Sequence, residues 1–340
     1  MKYRLILIGL MLAGLLLGAI SAAWLTYERV ESQPLLSAED APVVLEIPAG
    51  TGVAGIIDKM VATGLDVQPT LLRVYLRLRG VDQRLQAGEY AVQPGETAGV
   101  LIARMVAGSV IQHRITIVEG WRFEELMAAL HAHPAVKTEL PEDTAPEVVM
   151  AALGRPEINA EGRFLPETYL FVGGTSELTI LKRALNALEA ELASAWENRA
   201  SDIPLRSAEE ALVLASIIEK ETALPEERRA IAGVFTRRLQ QGMRLQTDPT
   251  VIYGMGEAYT GRLRRKDLTT DTPWNTYTRH GLPPTPIALP GAASIRAAVN
   301  PAEGDTLYFV ARGDGSHVFS VTYEQHNAAI RRYILGEDDE

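Results

Sequence analysis

The feature that most constrains this chain is an uncharged, apolar stretch close to its N-terminus. Leu5 to Leu25 contains no charged residue and consists mostly of Leu, Ile, Ala and Gly. A helix of about 20 such residues crosses a hydrocarbon core of about 30 Å. The sequence therefore predicts a single transmembrane helix within residues 1–30.

The charges around this stretch predict its orientation. Lys2 and Arg4 precede it, and the positive-inside rule places such a flank in the cytoplasm. The alternative is a cleaved signal peptide, since Ser21–Ala23 are small; the run exceeds a typical apolar core of about 7–15 residues, however. Trp24 and Tyr27 suit a membrane interface. We therefore expect an anchored protein of the inner cell membrane, with the rest of the chain extracytoplasmic, in the periplasm.

Composition narrows the classes of partner. The net charge is −10 and the pI about 5.3, which argues against nucleic acid because phosphate binding needs a concentrated basic surface. The chain has no cysteine, so it has neither disulfides nor thiolate metal sites. Its six histidines show no ligand motif beyond His131 and His133, which predicts no metal site and no cofactor.

The pattern after the apolar stretch predicts an α+β protein in two parts. Ser32–Pro42 has the composition of a solvated linker, covering residues 31–42. A short β-type run, a turn with Gly, and an amphipathic helix then recur, which predicts a small α/β subdomain over 43–113 and a larger mixed α+β domain over 114–340. The β-type runs begin the three copies at Val44–Ile47, Glu89–Val92 and Ile115–Val118.

One helix of the larger domain carries candidate chemistry. Ser207–Thr222 begins with capping-box spacing and continues as an almost uninterrupted apolar run, which predicts a buried helix. It ends in Glu219 and Glu221. Burial makes a carboxyl hold its proton more strongly, as a general acid near neutral pH requires. Helical spacing does not choose between the two glutamates, and a solvated helix end is the plain alternative.

Two later segments are rich in amides, hydroxyls and aromatic rings on loops that Pro makes rigid. They are Gln246–Tyr253 and Asn275–Ile287. Such groups bind sugars by hydrogen bonding and stacking. The pattern predicts the walls of a polar groove.

Several of these motifs resemble the endolytic murein transglycosylase (YceG-like) family over essentially the whole chain. The matching segments are Glu161–Tyr169, Ala215–Thr222, Leu245–Gly254, Asn275–Thr278 with Gly281–Pro284, Tyr308–Val310 and Phe319–Asn327. Trp274 and Thr285 depart from the family pattern. In addition, Pro94–Thr97 after a strand resembles the turn of the glycan-binding LysM module.

The resemblance implies a reaction and a set of residues. The expected reaction is non-hydrolytic cleavage of the MurNAc-β-1,4-GlcNAc bond of peptidoglycan, leaving 1,6-anhydro ends and terminating new strands beside the cell-wall synthases, which would be partners. The resemblance places the catalytic role on Glu219. Candidates for supporting residues are Glu221, Gln246, Asp248, Tyr253, Asn275, Tyr277, Glu167 and Tyr169. The alternatives are a hydrolytic muramidase and a tethered peptidoglycan-binding protein without activity.

Overall fold

The computed structural model describes residues 2–336, and the chain forms two compact units. Unit 1 is Met1–His113 with Phe171–Gly174, and unit 2 is Arg114–Leu170 with Thr175–Glu340. The predicted domain limits at residues 1 and 340 lie outside the described residues. So do the side chains of Lys2 and Arg4, on which the predicted orientation depends.

Unit 1 begins with the apolar helix that the sequence predicts. Helix α1 runs over Lys2–Ser32, and its part Ile6–Ser32 is long and apolar enough to cross a membrane. The apolar side chains from Ile6 to Leu25 are largely exposed. An unburied apolar helix of this length is typical of a membrane span.

The rest of unit 1 is a two-stranded antiparallel sheet packed on three helices. Its elements are β1 (Val43–Ile47), α2 (Val53–Ala62), α3 (Pro69–Arg79), β2 (Gly88–Val92) and α4 (Ala98–Ala107). In the pairing of β1 with β2, Leu45 lies opposite Tyr90, and both are fully buried. The core of unit 1 therefore lies against one face of this antiparallel pair of strands.

The turns between strand and helix share one backbone conformation. Gly50 and Gly95 have φ of 80° and Gly120 has φ of 79°, a region that favours glycine. After Gly95, the Thr97 hydroxyl caps α4 by accepting a hydrogen bond from the Val100 amide. The recurring glycine thus reflects a recurring strand-to-helix turn.

The stretch predicted as a solvated linker is instead built into unit 1. Leu35 and Leu36 are buried, at 1% and 7% exposure. The Leu35 amide donates to the Glu96 carbonyl (2.7 Å), and its carbonyl accepts from the Asp66 amide (2.8 Å). Two adjacent leucines supply enough apolar surface to order a polar segment, which the overall composition of the stretch conceals.

Unit 2 is mainly helical with short strands. In chain order its elements are β3 (Gln112–Thr116, shared with unit 1), α5 (Phe123–Ala132), β4 (Val136–Lys137), α6 (Pro146–Ala152), β5 (Thr168–Val172, also shared), β6 (Thr175–Ser176), α7 (Glu177–Glu197), α8 (Ala208–Glu221), α9 (Arg228–Gln240), α10 (Asp248–Met255), a 3-10 turn (Gly256–Ala258), α11 (Arg265–Thr269), α12 (Ala292–Val299), β7 (Tyr308–Ala311), β8 (His317–Ser320), α13 (Tyr323–Ile330) and a π-helical turn (Arg331–Leu335). The pairs are β3 with β5, β4 with β6 in parallel, and β7 with β8 antiparallel.

Helix α8 is the centre of unit 2. The Ser207 hydroxyl caps it by accepting from the Glu210 amide, and every residue from Ala211 to Ile218 is buried. It packs against α7, α9 and α12, which explains why its sequence is apolar on all sides. The helix ends at Glu221, so Glu219 and Glu221 both lie in its last turn. Residues two apart on a helix do not face the same way.

Candidate active site

An open cleft in unit 2 has Glu221 on its wall. Its volume is about 590 Å³. The polar and aromatic residues that line it come from the helices, loops and strands between the end of α8 and α13: Glu221, Arg238, Gln246, Thr247, Asp248, Tyr277, Tyr308, Phe309, His317, Tyr323, His326 and Asn327. These are hydrogen-bonding groups and rings, which suit a carbohydrate.

Burial sets the protonation of Glu221. Loss of water raises the pKa of Glu221 to about 7, and the nearby Asp248 carboxylate adds to the rise. The Thr247 hydroxyl donates a hydrogen bond to Oε1 of Glu221, which works in the opposite direction and fixes the carboxyl group. A carboxyl group with a pKa near 7 can both give and take a proton at neutral pH.

Gln246 lies on the same wall in a strained conformation. Its φ of 52° is the one positive value at a non-glycine residue among residues 2–336. Two hydrogen bonds to Thr276 hold this strained backbone. The backbone N–H of Gln246 donates to the Thr276 carbonyl (3.2 Å), and the backbone N–H of Thr247 donates to Thr276 Oγ1 (3.1 Å). Strain of about 1–3 kcal/mol at an exposed polar residue is typical of a functional position.

We expect Gln246→Gly to separate strain from function. Glycine adopts this φ without strain, so the free energy of unfolding should change by less than about 1 kcal/mol. Loss of the side-chain amide should lower kcat/KM on glycan strands about tenfold, the effect of one hydrogen bond. Chemical denaturation and steady-state assays measure the two effects. Unchanged kcat/KM would remove Gln246 from the substrate contacts.

Asp248, Tyr277 and Asn275 form one connected group. The Tyr277 hydroxyl donates to Asp248 Oδ1 (2.6 Å), and burial together with this bond raises the pKa of Tyr277. Asn275 is fully buried; its side-chain amide donates to the Thr270 carbonyl (2.7 Å), while its Oδ1 accepts from the Tyr277 amide (2.8 Å). Asn275 therefore shapes the loop that presents Tyr277 to the cleft.

Arg238, Tyr308 and His326 also line the cleft, although they are not among the site residues predicted from the sequence. Arg238 donates to the carbonyls of Leu245 (2.8 Å) and Leu307 (2.7 Å) and packs 5.1 Å above the Tyr308 ring. His326 stacks on Tyr308 with ring centroids 5.1 Å apart. Tyr308 and His326 belong to segments that carry the family resemblance, which was the available signal. Arg238 lies on α9, just before the polar segment that begins at Gln246.

Glu219 is in a different environment from Glu221. Its Oε2 accepts from the Gly291 amide (2.9 Å), its Oε1 is 3.5 Å from Nη2 of Arg228, and its side chain is 5% exposed. Arg228 Nη2 also lies 3.2 Å from Oε2 of Glu119. Burial and the charge of Glu219 raise the pKa of Glu119, and Arg228 opposes them. Of the residues predicted to assist Glu219, Gln246, Asp248 and Tyr277 instead surround Glu221.

Three other predicted residues lie elsewhere. Tyr253 packs edge-on against Trp274, with centroids 5.5 Å apart, in a smaller cavity of about 310 Å³ that also contains buried Glu161. Burial raises the pKa of Glu161 to about 7. Tyr169 is a core residue whose hydroxyl donates to the Leu165 carbonyl (2.8 Å), and Glu167 is an exposed residue beside β5.

A half-buried carboxyl group in a cleft of amides, hydroxyls and rings is typical of an acid–base enzyme for a polar substrate. The YceG-like family model matches residues 45–332, and the chain belongs to that family, as its motifs predict.

Named relatives and a solved structure agree with this membership. An endolytic murein transglycosylase of Bacillus subtilis (strain 168) is 29% identical over 334 residues, which is 92% of this chain and 91% of the relative. One of Streptococcus pneumoniae (strain D39) is 24% identical over 86% of this chain and 58% of its own length. The crystal structure of a YceG-like protein from Listeria monocytogenes superposes with a TM-score of 0.55 at 29% identity, over 85% of this chain and 99% of that one.

Proposed function

We propose that this chain is an endolytic murein transglycosylase. It cuts the MurNAc-β-1,4-GlcNAc bond within peptidoglycan glycan strands and leaves 1,6-anhydroMurNAc ends. The observation that carries the proposal is Glu221, a carboxyl group of pKa about 7 on the wall of a sugar-compatible cleft. The family membership and the names of the bacillary and streptococcal relatives support it.

The mechanism needs one carboxyl group. Glu221 gives its proton to the glycosidic oxygen, and the bond from that oxygen to C1 of the muramic sugar breaks. The 6-hydroxyl of the same sugar bonds to C1, and its proton returns to the Glu221 carboxylate. Glycosidases that hydrolyse their substrate use two carboxyl groups, one of which activates water or attacks the sugar. Here the substrate supplies the nucleophile.

The proposal places the acid on Glu221, whereas the family resemblance placed it on Glu219. Three features support Glu221 as the acid. The Thr247 hydroxyl fixes its carboxyl group, the nearby Asp248 carboxylate raises its pKa, and the carboxyl group lies on the wall of an open cleft. Glu219 is paired with Arg228 and the Gly291 amide, a fixed arrangement that suits support of the helix end. The catalytic role of Glu219 stays a prediction, and replacing each glutamate by glutamine in turn tests it.

The location of the enzyme is also proposed. Helix α1 would anchor the chain in the inner cell membrane with its N-terminus in the cytoplasm and its catalytic unit in the periplasm. There it would cut new strands near the peptidoglycan synthases and so end their elongation. Unit 1 has the element order β-α-α-β over Val43–Val92, which supports a LysM-like role in holding glycan.

Mass spectrometry of digested glycan tests the proposed reaction. The full chain in detergent is incubated with purified strands, and the new ends are identified. Anhydro ends are expected. Reducing ends would instead show a muramidase, and intact strands would leave a tethered binding protein.

The pKa of Glu221 predicts the pH dependence of the reaction. The first step needs the protonated carboxyl group, and raising the pH through about 7 removes that proton. We therefore expect kcat/KM to fall about tenfold per pH unit above pH 7. The rate is measured from pH 5 to 9 at constant ionic strength, with thermal unfolding recorded at each pH. A flat profile up to pH 9 in folded protein would contradict Glu221 as the acid.

A further inference from the structure

The end of the apolar helix is clamped to unit 1 without a flexible break. Helix α1 continues to Ser32, and Val30 in its last turns is buried in the core of unit 1. The hydroxyl of Tyr75 on α3 donates to Glu31 Oε1 (2.6 Å). Unit 1 therefore has a fixed position relative to any bilayer that α1 spans.

These contacts also set the direction of α3. Gln33, just past the end of α1, donates to Asp66 just before α3 (2.7 Å). Later on α3, Tyr75 and Arg79 both lie against Tyr27 and Glu31 of α1: the Tyr75 and Tyr27 rings are 5.9 Å apart, and Arg79 is 3.5 Å from the Tyr27 hydroxyl and 3.9 Å from Glu31. From the residues just before α3 to its C-terminal half, the contacts on α1 thus move back from Gln33 toward Tyr27 and the apolar stretch. The C-terminal end of α3 is the end that approaches the membrane.

The depth of that end follows from helix geometry. The apolar stretch ends at Leu25, so Tyr27 lies about 3 Å farther along the α1 axis, in the headgroup region. Trp24 and Tyr27 stack with centroids 6.3 Å apart, as in an interfacial aromatic belt. Arg79, in contact with Tyr27, is therefore at the level of the lipid headgroups.

The exposed residues at this end of α3 suit an anionic headgroup. Helix α3 carries Arg73, Arg77 and Arg79 and no carboxylate, within a chain of net charge −10. Arg77 is exposed and makes no ion pair within the part of the chain that the structure describes. Arg79 lies 3.9 Å from Glu31 on α1, and its side chain remains 47% exposed. Leu78, between two arginines, is 62% exposed. An apolar side chain flanked by guanidinium groups fits the boundary between phosphates and acyl chains.

We propose that Arg77–Arg79 is a docking surface for anionic phospholipid. The two guanidinium groups bind headgroup phosphates and Leu78 enters the acyl boundary, which fixes the height of unit 1 above the bilayer. The charge of α3 and its continuity with α1 select this occupant. The inference rests on the proposed anchoring by α1 and is independent of the catalytic assignment.

Spin labels in the full chain test the proposal. The protein has no cysteine, so a single nitroxide is attached at Leu78→Cys, or at Val74→Cys one turn earlier on the same exposed face. A label at Leu16→Cys reports separately whether α1 lies in the bilayer. The chain is placed in nanodiscs of phosphatidylcholine with or without 30% phosphatidylglycerol. Collisions with oxygen and with a water-soluble nickel chelate give the depth of each label.

With phosphatidylglycerol, the label at 78 should be deeper than that at 74 by up to about 6 Å, the rise of four residues along the helix axis. Arg77→Gln should abolish the part of the depth that depends on phosphatidylglycerol, whereas Arg73→Gln, more than one turn farther away, should retain most of it. Equal depths at 74 and 78, or values at 78 that ignore phosphatidylglycerol, would overturn the proposal. A nickel-accessible label at 16 would contradict the anchoring instead.

Discussion

Glu221→Gln should lower kcat on glycan strands by about 10³-fold, within the range that general acid–base catalysis contributes. The amide keeps the shape of the side chain and can still accept from the Thr247 hydroxyl, but it has no proton to transfer. Strand affinity should stay within a few-fold, because the binding groups of the cleft remain. Single-turnover kinetics and a binding titration measure the two effects.

Glu219→Gln is the matched control for this variant. It makes the same chemical change two residues away, on the same helix turn, in a side chain paired with Arg228. We expect activity within about tenfold of the original chain, together with a lower unfolding temperature. If Glu219→Gln abolishes cleavage and Glu221→Gln retains it, the catalytic role belongs to Glu219, as the family resemblance implied.

The elements could be predicted from sequence because their signals are local. The uncharged run of α1 reports its own length, and the capping residue and apolar stretch of α8 lie within a few turns of each other. The turn glycines Gly50, Gly95 and Gly120 likewise express a local need for positive φ. No distant residue is required to interpret any of these signals.

Which of the two glutamates, Glu219 or Glu221, points into the cleft depends on residues far away in the sequence. Helical spacing shows that the two side chains diverge, but it gives no absolute direction. The directions follow from Thr247, which reaches Glu221, and from Arg228 and Gly291, which reach Glu219. The hydroxyl and the Gly291 amide come from loops packed against the helix end, and spacing within α8 cannot predict them.

Residue type was also a poor guide to role among the polar loops. Tyr169 and Tyr277 are both tyrosines in motifs of the family, but the hydroxyl of Tyr169 donates to a carbonyl in the core, whereas that of Tyr277 donates to Asp248 on the wall of the cleft. Asn275 looked suited to bind sugar, and its amide is used entirely within the loop. Whether a polar group is free for a substrate depends on the partners it already has.

Arg228→Met should lower the free energy of unfolding by about 3 kcal/mol, the usual effect of removing one partner of a buried ion pair. Arg228 is 8% exposed, and its guanidinium lies between Glu119 and Glu219. Without Arg228, the carboxylates of Glu119 and Glu219 are left without the cation between them. Within residues 2–336, Glu219 then keeps only its hydrogen bond from the Gly291 backbone N–H. Urea denaturation measures the change, with exposed Arg262→Met as a control expected to stay within about 0.5 kcal/mol.

The pH dependence of this loss gives its cause. Arg228 now opposes the rise in the pKa of Glu119, so its removal raises that pKa further. A carboxyl group whose pKa is raised by folding stabilises the folded state at low pH, and that stability is lost as the pH rises through the raised pKa. The destabilisation by Arg228→Met should therefore be larger at pH 8 than at pH 5. A loss that is the same at both would point to packing of the arginine stem.

Combining Arg228→Met with Glu219→Gln isolates the ion pair. The glutamine amide carries no charge, so in the double variant residue 219 is not repelled by Glu119 and does not need the attraction of Arg228. We therefore expect the free energy of unfolding to be at least about 1 kcal/mol higher than that of Arg228→Met alone. Additive losses would mean that Glu219 and Arg228 are not coupled. Coupling would show that the buried cation of Arg228 is what holds Glu219 in its charged, paired arrangement at the end of α8.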